Sequence, residues 1–373
     1  MRRSFLLLFP VLFFSSCHVV RFFVWNFADI HDYKKFPKNS ISKPVNPFLF
    51  KEANGNTALQ IPKEITIKGE KYSFDEMLKK TKTVAFLIIR NDSMLYEKYL
   101  YNYDKSSVVP SFSSAKSFVS ALAGIAIDEG YIKDVNEPIT NYLPELDKNK
   151  FGNITIEDVL DMQSGIKYNE GYYNPFGDVA KYYYGTNIKK YIKKLKIKEA
   201  PGKTFEYISV NTELLGLIIE HATGKHLYQY LEEKIWKNTG MEYDASWSID
   251  SRKNQTEKAF CCINARARDF AKFGRLYLHN GNWNGKQIIS EKWVKQSTQF
   301  ATEKNGYIYS YQWWHNPKYT PIGIEAGNDF YAHGLLGQYI YVYPSKNIII
   351  VRLGKKEGNI YWAGLFKAIA EKN

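Results

Sequence analysis

The segment Ser117–Ile127 reads SFVSALAGIAI, apolar on nearly every side at helical spacing. Such a helix has no face to offer water, so it must lie inside a domain with other layers packed around it. That requires a chain long enough to enclose it. With 373 residues, 45% hydrophobic and 16% aromatic, this chain can do so as one large domain or two. The same content excludes a disordered chain.

The neighbouring patterns supply the layers. Thr83–Arg90 and Ser93–Leu100 are β-rich runs across Asn91-Asp92, which predicts a hairpin whose second, alternating strand has one face toward solvent. Helical patterns cover Thr155–Gly165, with Gly165 suited to a C-terminal cap, and Thr212–His221. Ala267–Leu278 and Asn359–Glu371 also read as helices, whereas Tyr307–Trp314, Gln338–Tyr343 and Ile348–Leu353 read as extended. Strands at both ends with helices between them predict an α/β fold interrupted by an all-α insertion over about residues 130–255.

The N-terminus carries an address. Arg2 and Arg3 precede the apolar run Phe5–Phe14 and then Ser15-Ser16-Cys17, the pattern of a secretory signal. The run is short for a membrane span, and Pro10 interrupts it. Cys17 after two small residues resembles the lipobox of bacterial lipoproteins, although Phe14 stands where leucine is usual. The resemblance implies lipidation at Cys17, with residues 1–17 as the signal; a plain cleaved signal or an uncleaved anchor is the alternative. The expected location is the cell envelope, lipid-anchored or secreted to the periplasm. Residues 18–62, punctuated by prolines and without a sustained period, read as a tether leading to a folded body over 63–373.

Two further signals are negative. Cys261 and Cys262 are adjacent, a spacing that disfavours a relaxed bridge and matches neither a CxxC nor a metal site. They read as small packed residues in a strand. The net charge of +13 is lysine spread along the chain. Its densest run, Lys189–Lys198, places Ile188, Tyr191, Ile192 and Leu195 on one helix face with the lysines solvated. No recognition module accompanies the charge, so no nucleic-acid partner is expected. No HExxH, phosphate loop or metal-spaced histidine set occurs, so neither a metal nor another cofactor is expected.

The chemistry begins at Ser113-Ser-Ala-Lys116, just before the apolar helix. Residues three apart share a helix face, so the Ser113 hydroxyl and the Lys116 amine can meet. A cleft walled by an apolar helix disfavours the charged ammonium, as does the positive helix end. A neutral amine can then take the serine proton and make the hydroxyl a nucleophile. The Ser113 N–H, unpaired at a helix start, can point at a developing oxyanion. Spacing alone is weak evidence, because Ser40-Ile-Ser-Lys43 also fits it. A solvated lysine in the first turn of so apolar a helix, however, would be unusual.

Ser113-Ser-Ala-Lys116 resembles the nucleophile motif of serine β-lactamases and penicillin-binding proteins. Pro201-Gly-Lys-Thr-Phe-Glu-Tyr207-Ile-Ser209-Val-Asn211 resembles their second motif, and Ile235–Trp247, Ala267–Leu278, Tyr311–Trp314 and Gly334–Gln338 follow in order. The set is most similar to the branch related to class C β-lactamases that includes the 6-aminohexanoate-dimer hydrolases and related esterases. The resemblance spans Thr83 to the C-terminus. It implies a serine β-lactamase-like fold, an antiparallel sheet flanked by helices. It implies catalysis by Ser113, Lys116 and Tyr207 on a small-molecule amide or ester, with the backbone of Ser113 and Leu335 as oxyanion donors. Ser209, Asn211, His333 and Gly334 are the implied substrate-binding residues, and the tyrosine-rich loop Tyr168–Phe176 is a candidate pocket wall.

Two departures qualify the resemblance. The usual Tyr-x-Asn is Tyr207-Ile-Ser209, and the usual Lys-Thr-Gly is Ala332-His333-Gly334. The missing lysine argues against an efficient β-lactamase or D-alanyl-D-alanine peptidase, the leading alternative activities. A non-catalytic envelope-binding protein is a third reading, opposed by the intact Ser113, Lys116 and Tyr207.

Overall fold

At the predicted hairpin, Asn91 and Asp92 both take left-handed backbone (φ +49° and +59°), the conformation of a tight turn between twisted strands. The computed structural model describes residues 18–25, 27–53, 59–299, 308–320 and 323–373. The hairpin strands Thr83–Arg90 and Ser93–Tyr99 belong to an eight-stranded sheet. From Thr83–Arg90 the sheet continues through Ile348–Gly354, Gln338–Tyr343, Gly323–Gly334 and Trp313–Thr320 to Tyr309–Ser310, antiparallel at every step. On the other side, the short edge strand Lys51–Glu52 pairs in parallel with Ser93–Tyr99.

Strand alternation sorts the sheet into two faces. Leu87, Ile89, Ile340, Val342, Ile349 and Val351 enter the larger core, with the helices Ala115–Asp128 and Ala267–Leu278. Phe86, Ile88, Tyr341, Ile348 and Ile350 face the opposite way, against the helices Phe74–Lys80 and Trp362–Lys372. The apolar helix is buried without a break from Ala115 to Ala126. Its Phe118 stacks on Phe273 at 3.6 Å between ring centroids. Gly124 leaves room for Trp293, whose ring would lie 2.4 Å from an added Cβ.

Four expectations change. The described residues of the stretch 18–62 do not form a tether. His18–Trp25 is a helix with Phe22 buried against Tyr184 (5.3 Å), and Lys38–Ile41 pairs with Ala245–Ser248. These elements are too short to show a period, and Phe22, Ile30, Phe36, Ile41 and Phe50 are buried at irregular intervals. Ser40 therefore sits on a strand, and the second S-x-x-K is not on a helix.

The insertion is not purely helical. Ile188–Ile192 is one short helix, after which Lys196–Ile197 pairs with Ile166–Lys167. Thr155 caps Ile156–Leu160 through a capping box with Asp158, but Met162 turns left-handed (φ +59°) and ends the helix early. Gly165 serves a later turn, where a Cβ would come 2.3 Å from the Glu199 carbonyl oxygen.

The adjacent cysteines are bridged, with Cα atoms 3.7 Å apart, and they precede the strand Ile263–Ala265 rather than lie in it. Neighbours in a strand point to opposite faces. Left-handed backbone at Cys262 (φ +78°) breaks that alternation. Residues 1–17, with Cys17 and its lipobox, lie outside the described residues. Among the described residues, no helix is long and apolar enough to cross a membrane.

Candidate active site

The turn Phe112–Ser114 delivers Ser113 to the start of the apolar helix. Phe112 holds φ +45°, rarely adopted by a bulky residue. Neighbouring bonds fix it: the Ser111 N–H donates to the Ile263 carbonyl (2.7 Å), and the Ser111 hydroxyl donates to the Phe112 carbonyl (3.0 Å).

Lys116 is 1% exposed. Its Nζ donates to Ser113 Oγ at 3.0 Å, to the Phe260 carbonyl at 2.9 Å and to Ser209 Oγ at 3.4 Å. Burial lowers its pKa to about 8, against the upward pull of the Glu170 and Glu213 carboxylates. The amine is thereby brought close to the neutral state that a base at this position requires. The Phe260 carbonyl immediately precedes the bridged cysteines. Glu213 fixes this segment from behind by accepting the Ala259 N–H at 2.8 Å.

Tyr207 enters from the stretch before the helix Ser209–Thr223. Its ring lies 5.1 Å from Lys116 Nζ and packs on Trp314 at 5.4 Å. Burial raises the phenol above the usual tyrosine range, while its interaction with Ser113 acts in the opposite direction. Ser209 sits between two charges: its Oγ accepts from Lys116 and donates to Glu170 Oε1 at 2.5 Å.

The strand Gly323–Gly334 reaches Ser113 at its last residue, Gly334. An added Cβ there would lie 2.2 Å from the Ser111 carbonyl oxygen and 3.1 Å from the Ser113 nitrogen, so only glycine permits the approach. The chain then turns at Leu336 (φ +64°) and Gly337 (φ +80°). Ser114 Oγ donates to the Gln338 carbonyl at 3.1 Å and ties this turn to the segment that carries Ser113. Leu335 and Ser113 both line a cavity of about 200 Å³, with Tyr172, Ser209 and Phe260 among the other walls.

Two implied binding residues lie elsewhere. Asn211 is fully buried; its Oδ1 accepts from Ser164 Oγ at 2.6 Å, and its amide meets Met162 Sδ at 3.5 Å. It braces the helix start beneath the site. His333 stacks on Tyr339 at 4.3 Å and bonds Glu357 at 3.4 Å. Its strand partner Tyr339 belongs to the core on the far face of the sheet, so alternation turns the imidazole away from Ser113.

Other site residues were not visible as such in the chain. Glu170 accepts the Ser209 N–H (2.8 Å), the Ser209 hydroxyl and the Tyr172 hydroxyl (2.9 Å). Burial raises its pKa, and the nearby Lys116 lowers it. The only signal was an acid inside a tyrosine-rich loop. Phe27 and Cys261 also line the cavity, from segments whose sequence gave no hint of it. Away from the cleft, Glu220, His226 and Glu257 place ligand-type atoms within 4.8 Å of one another, although no spacing suggested a cluster. His226 Nδ1 lies 3.0 Å from Glu220 Oε1.

A serine at a helix start, held by a buried lysine one turn on and set against the end of an inner strand of an antiparallel sheet, is the arrangement of the serine hydrolases with a β-lactamase-like fold. The chain belongs to the beta-lactamase family, whose model matches residues 73–371. It is 28% identical over 321 residues to the 6-aminohexanoate-dimer hydrolase of Paenarthrobacter ureafaciens, spanning 79% of each chain. Among solved structures, a Bacillus anthracis protein assigned as a 6-aminohexanoate-dimer hydrolase aligns with TM-score 0.78 at 27% identity over 94% of both chains. A class C β-lactamase shares the fold with TM-score 0.60 at 17% identity, over 80% of this chain and 92% of that one. The chain is accordingly a serine hydrolase of this family, with the α/β fold its motifs imply.

Proposed function

We propose that the protein hydrolyses a neutral amide or ester through an acyl-enzyme on Ser113. The observation that carries this reading is the desolvated Lys116 amine 3.0 Å from Ser113 Oγ. In the proposed cycle, Ser113 Oγ bonds to the carbonyl carbon as Lys116 takes its proton. The N–H groups of Ser113 and Leu335 hold the oxyanion. The C–N or C–O bond then breaks, and Tyr207 passes a proton to the leaving amine or alkoxide. A phenol kept protonated suits a donor, which leaves Lys116 as the base. Water then attacks the acyl carbon and gives a proton to the pair, the C–Oγ bond breaks, Ser113 Oγ takes a proton back from the pair, and the acid is released.

The neutral-substrate reading is supported by Ala332 at the position of the family's lysine and by the absence of Lys or Arg among the described residues lining the cavity. Labelling with a fluorophosphonate tests the nucleophile: Ser113→Ala should abolish it with circular dichroism unchanged, and normal labelling would refute the assignment. Faster turnover of a chromogenic cephalosporin than of a short p-nitrophenyl ester would favour the β-lactamase reading instead.

We further propose that the chain is held in the cell envelope by a lipid on Cys17. The basic start, the apolar run and the two serines before the cysteine support it. Cys17→Ala should block incorporation of radiolabelled palmitate; failure of the unaltered protein to incorporate it would refute the anchor.

A further inference from the structure

The helix His18–Trp25 (HVVRFFVW) is apolar almost all round, yet only Phe22 on it is buried. Such a helix is ordinarily covered on all sides. Of the eleven large apolar side chains exposed among the described residues, six come from two short segments: Phe23, Val24 and Phe27, and Tyr172, Tyr173 and Phe176. Phe23, Val24, Tyr173 and Phe176 are 66–79% exposed. The two segments form one patch: the Phe27 and Tyr173 rings meet at 5.5 Å, and the His18 ring lies against the Pro175 carbonyl. Scattered apolar residues need no explanation, but a contiguous apolar patch marks a contact surface.

Its position identifies the occupant. Phe27, Tyr172 and Tyr173 also line the cavity that holds Ser113, so the patch is the rim of the active-site mouth. The patch begins at His18, one residue after Cys17 and four after the apolar run Phe5–Phe14. A lipid on Cys17 or an uncleaved apolar run would each hold His18 at the bilayer surface, with no tether to let the domain stand away from it. Arg21 on the helix offers a cation to anionic headgroups, Lys181 beside His18 is paired with Asp178, and the net charge of +13 has the attracting sign.

We propose that this face seats on a phospholipid bilayer, so that the active-site mouth opens onto the membrane and the substrate is an amphiphilic ester or amide drawn from it. The inference rests on the envelope anchor and on Ser113 as nucleophile, and its test separates all three.

The full chain, in vesicles of phosphatidylcholine and phosphatidylglycerol, would carry the photoreactive substitution Phe23→p-benzoylphenylalanine or Phe176→p-benzoylphenylalanine. The control is Tyr361→p-benzoylphenylalanine, at an equally exposed aromatic (63%) near the core on the far face of the sheet. Lipid adducts are expected from positions 23 and 176 at about tenfold the yield from 361, since apolar side chains of this size partition at least that strongly. Equal yields at all three positions would overturn the proposal. So would cross-links to a second copy or to residues 1–17, which would name a different occupant.

In the second arm, Phe23→Ser combined with Val24→Ser should slow hydrolysis of a long-chain ester presented in vesicles by about tenfold, while a soluble short ester is turned over as before. Unchanged hydrolysis of both would refute the membrane route. Retained activity in Ser113→Ala would defeat the catalytic reading and leave the adduct pattern standing. Adducts that persist in Cys17→Ala would show that docking does not depend on the lipid.

Discussion

Replacing Glu170 with glutamine tests how the site sets its base. Glu170 reaches Lys116 through Ser209, whose hydroxyl is 3.4 Å from the amine and 2.5 Å from the carboxylate. The two charges are therefore no more than about 6 Å apart. At an effective dielectric of about 20, their attraction is about 2.8 kcal/mol, or about two pK units. Glutamine keeps the shape and most of the hydrogen bonds but removes the charge. Lys116, already lowered to about 8 by burial, should then titrate about one to two units lower. The sign follows from the mechanism. Acylation needs the neutral amine, so kcat/KM rises with pH through the lysine pKa in the free enzyme. The acidic limb of the profile should move to lower pH by that amount in Glu170→Gln. A purely structural role would lower the whole profile and leave its inflection in place. An unshifted limb would mean either that Lys116 is not the titrating base or that Glu170 carries no charge beside it.

Gly334→Ala should lower kcat at least about a hundredfold, because the added methyl meets backbone at 2.2 Å and pushes the strand end off Ser113 and the oxyanion site; burst kinetics would show acylation itself slowed. His333→Ala should leave kcat/KM within about twofold and lower stability by about 1 kcal/mol, since its ring stacks on Tyr339 away from the cavity. A large loss of activity would put His333 in the cleft after all. Matched acid and methyl-ester substrates should differ by less than about tenfold in kcat/KM, because no Lys or Arg among the described residues lines the cavity to make a charge-assisted bond worth about 1.5–3 kcal/mol. A preference of tenfold or more for the acid would reveal a cation supplied from outside the described lining.

What could be read from the chain depended on the length of each signal. The strands Thr83–Arg90, Gln338–Tyr343 and Ile348–Gly354 and the helix Ala267–Leu278 each run long enough for one pattern to dominate. Segments of two to five residues, such as Lys51–Glu52 or Ile188–Ile192, hold too few periods for a pattern to dominate and are fixed by tertiary contacts. The same holds at the site. Ser113 and Lys116 are local neighbours on a helix, and their spacing is visible in the chain. Glu170, Phe27 and the Phe260 carbonyl reach the site from loops, and no local pattern carries that information. The cysteine bridge was missed for a related reason, because adjacency opposes a bridge unless the backbone leaves the strand conformation between the two residues.

The orientation of His333 follows from strand alternation, which is legible in the sequence. Side chains on a strand alternate, so residues 332 and 334 share a face and residue 333 takes the other. If Gly334 is glycine because the strand must press against the Ser113 turn, the cleft-side neighbour is Ala332. The His333 ring then has to face the far layer, where it finds Tyr339 and Glu357. The residue that replaces the family's lysine is therefore a methyl group and not an imidazole. That removes both the permanent cation and a titratable substitute from the position where a substrate carboxylate would dock. With the cavity walled by Phe260, Tyr172 and Leu335, the proposed preference for neutral substrates would rest on apolar contact and on the chemistry of the scissile bond.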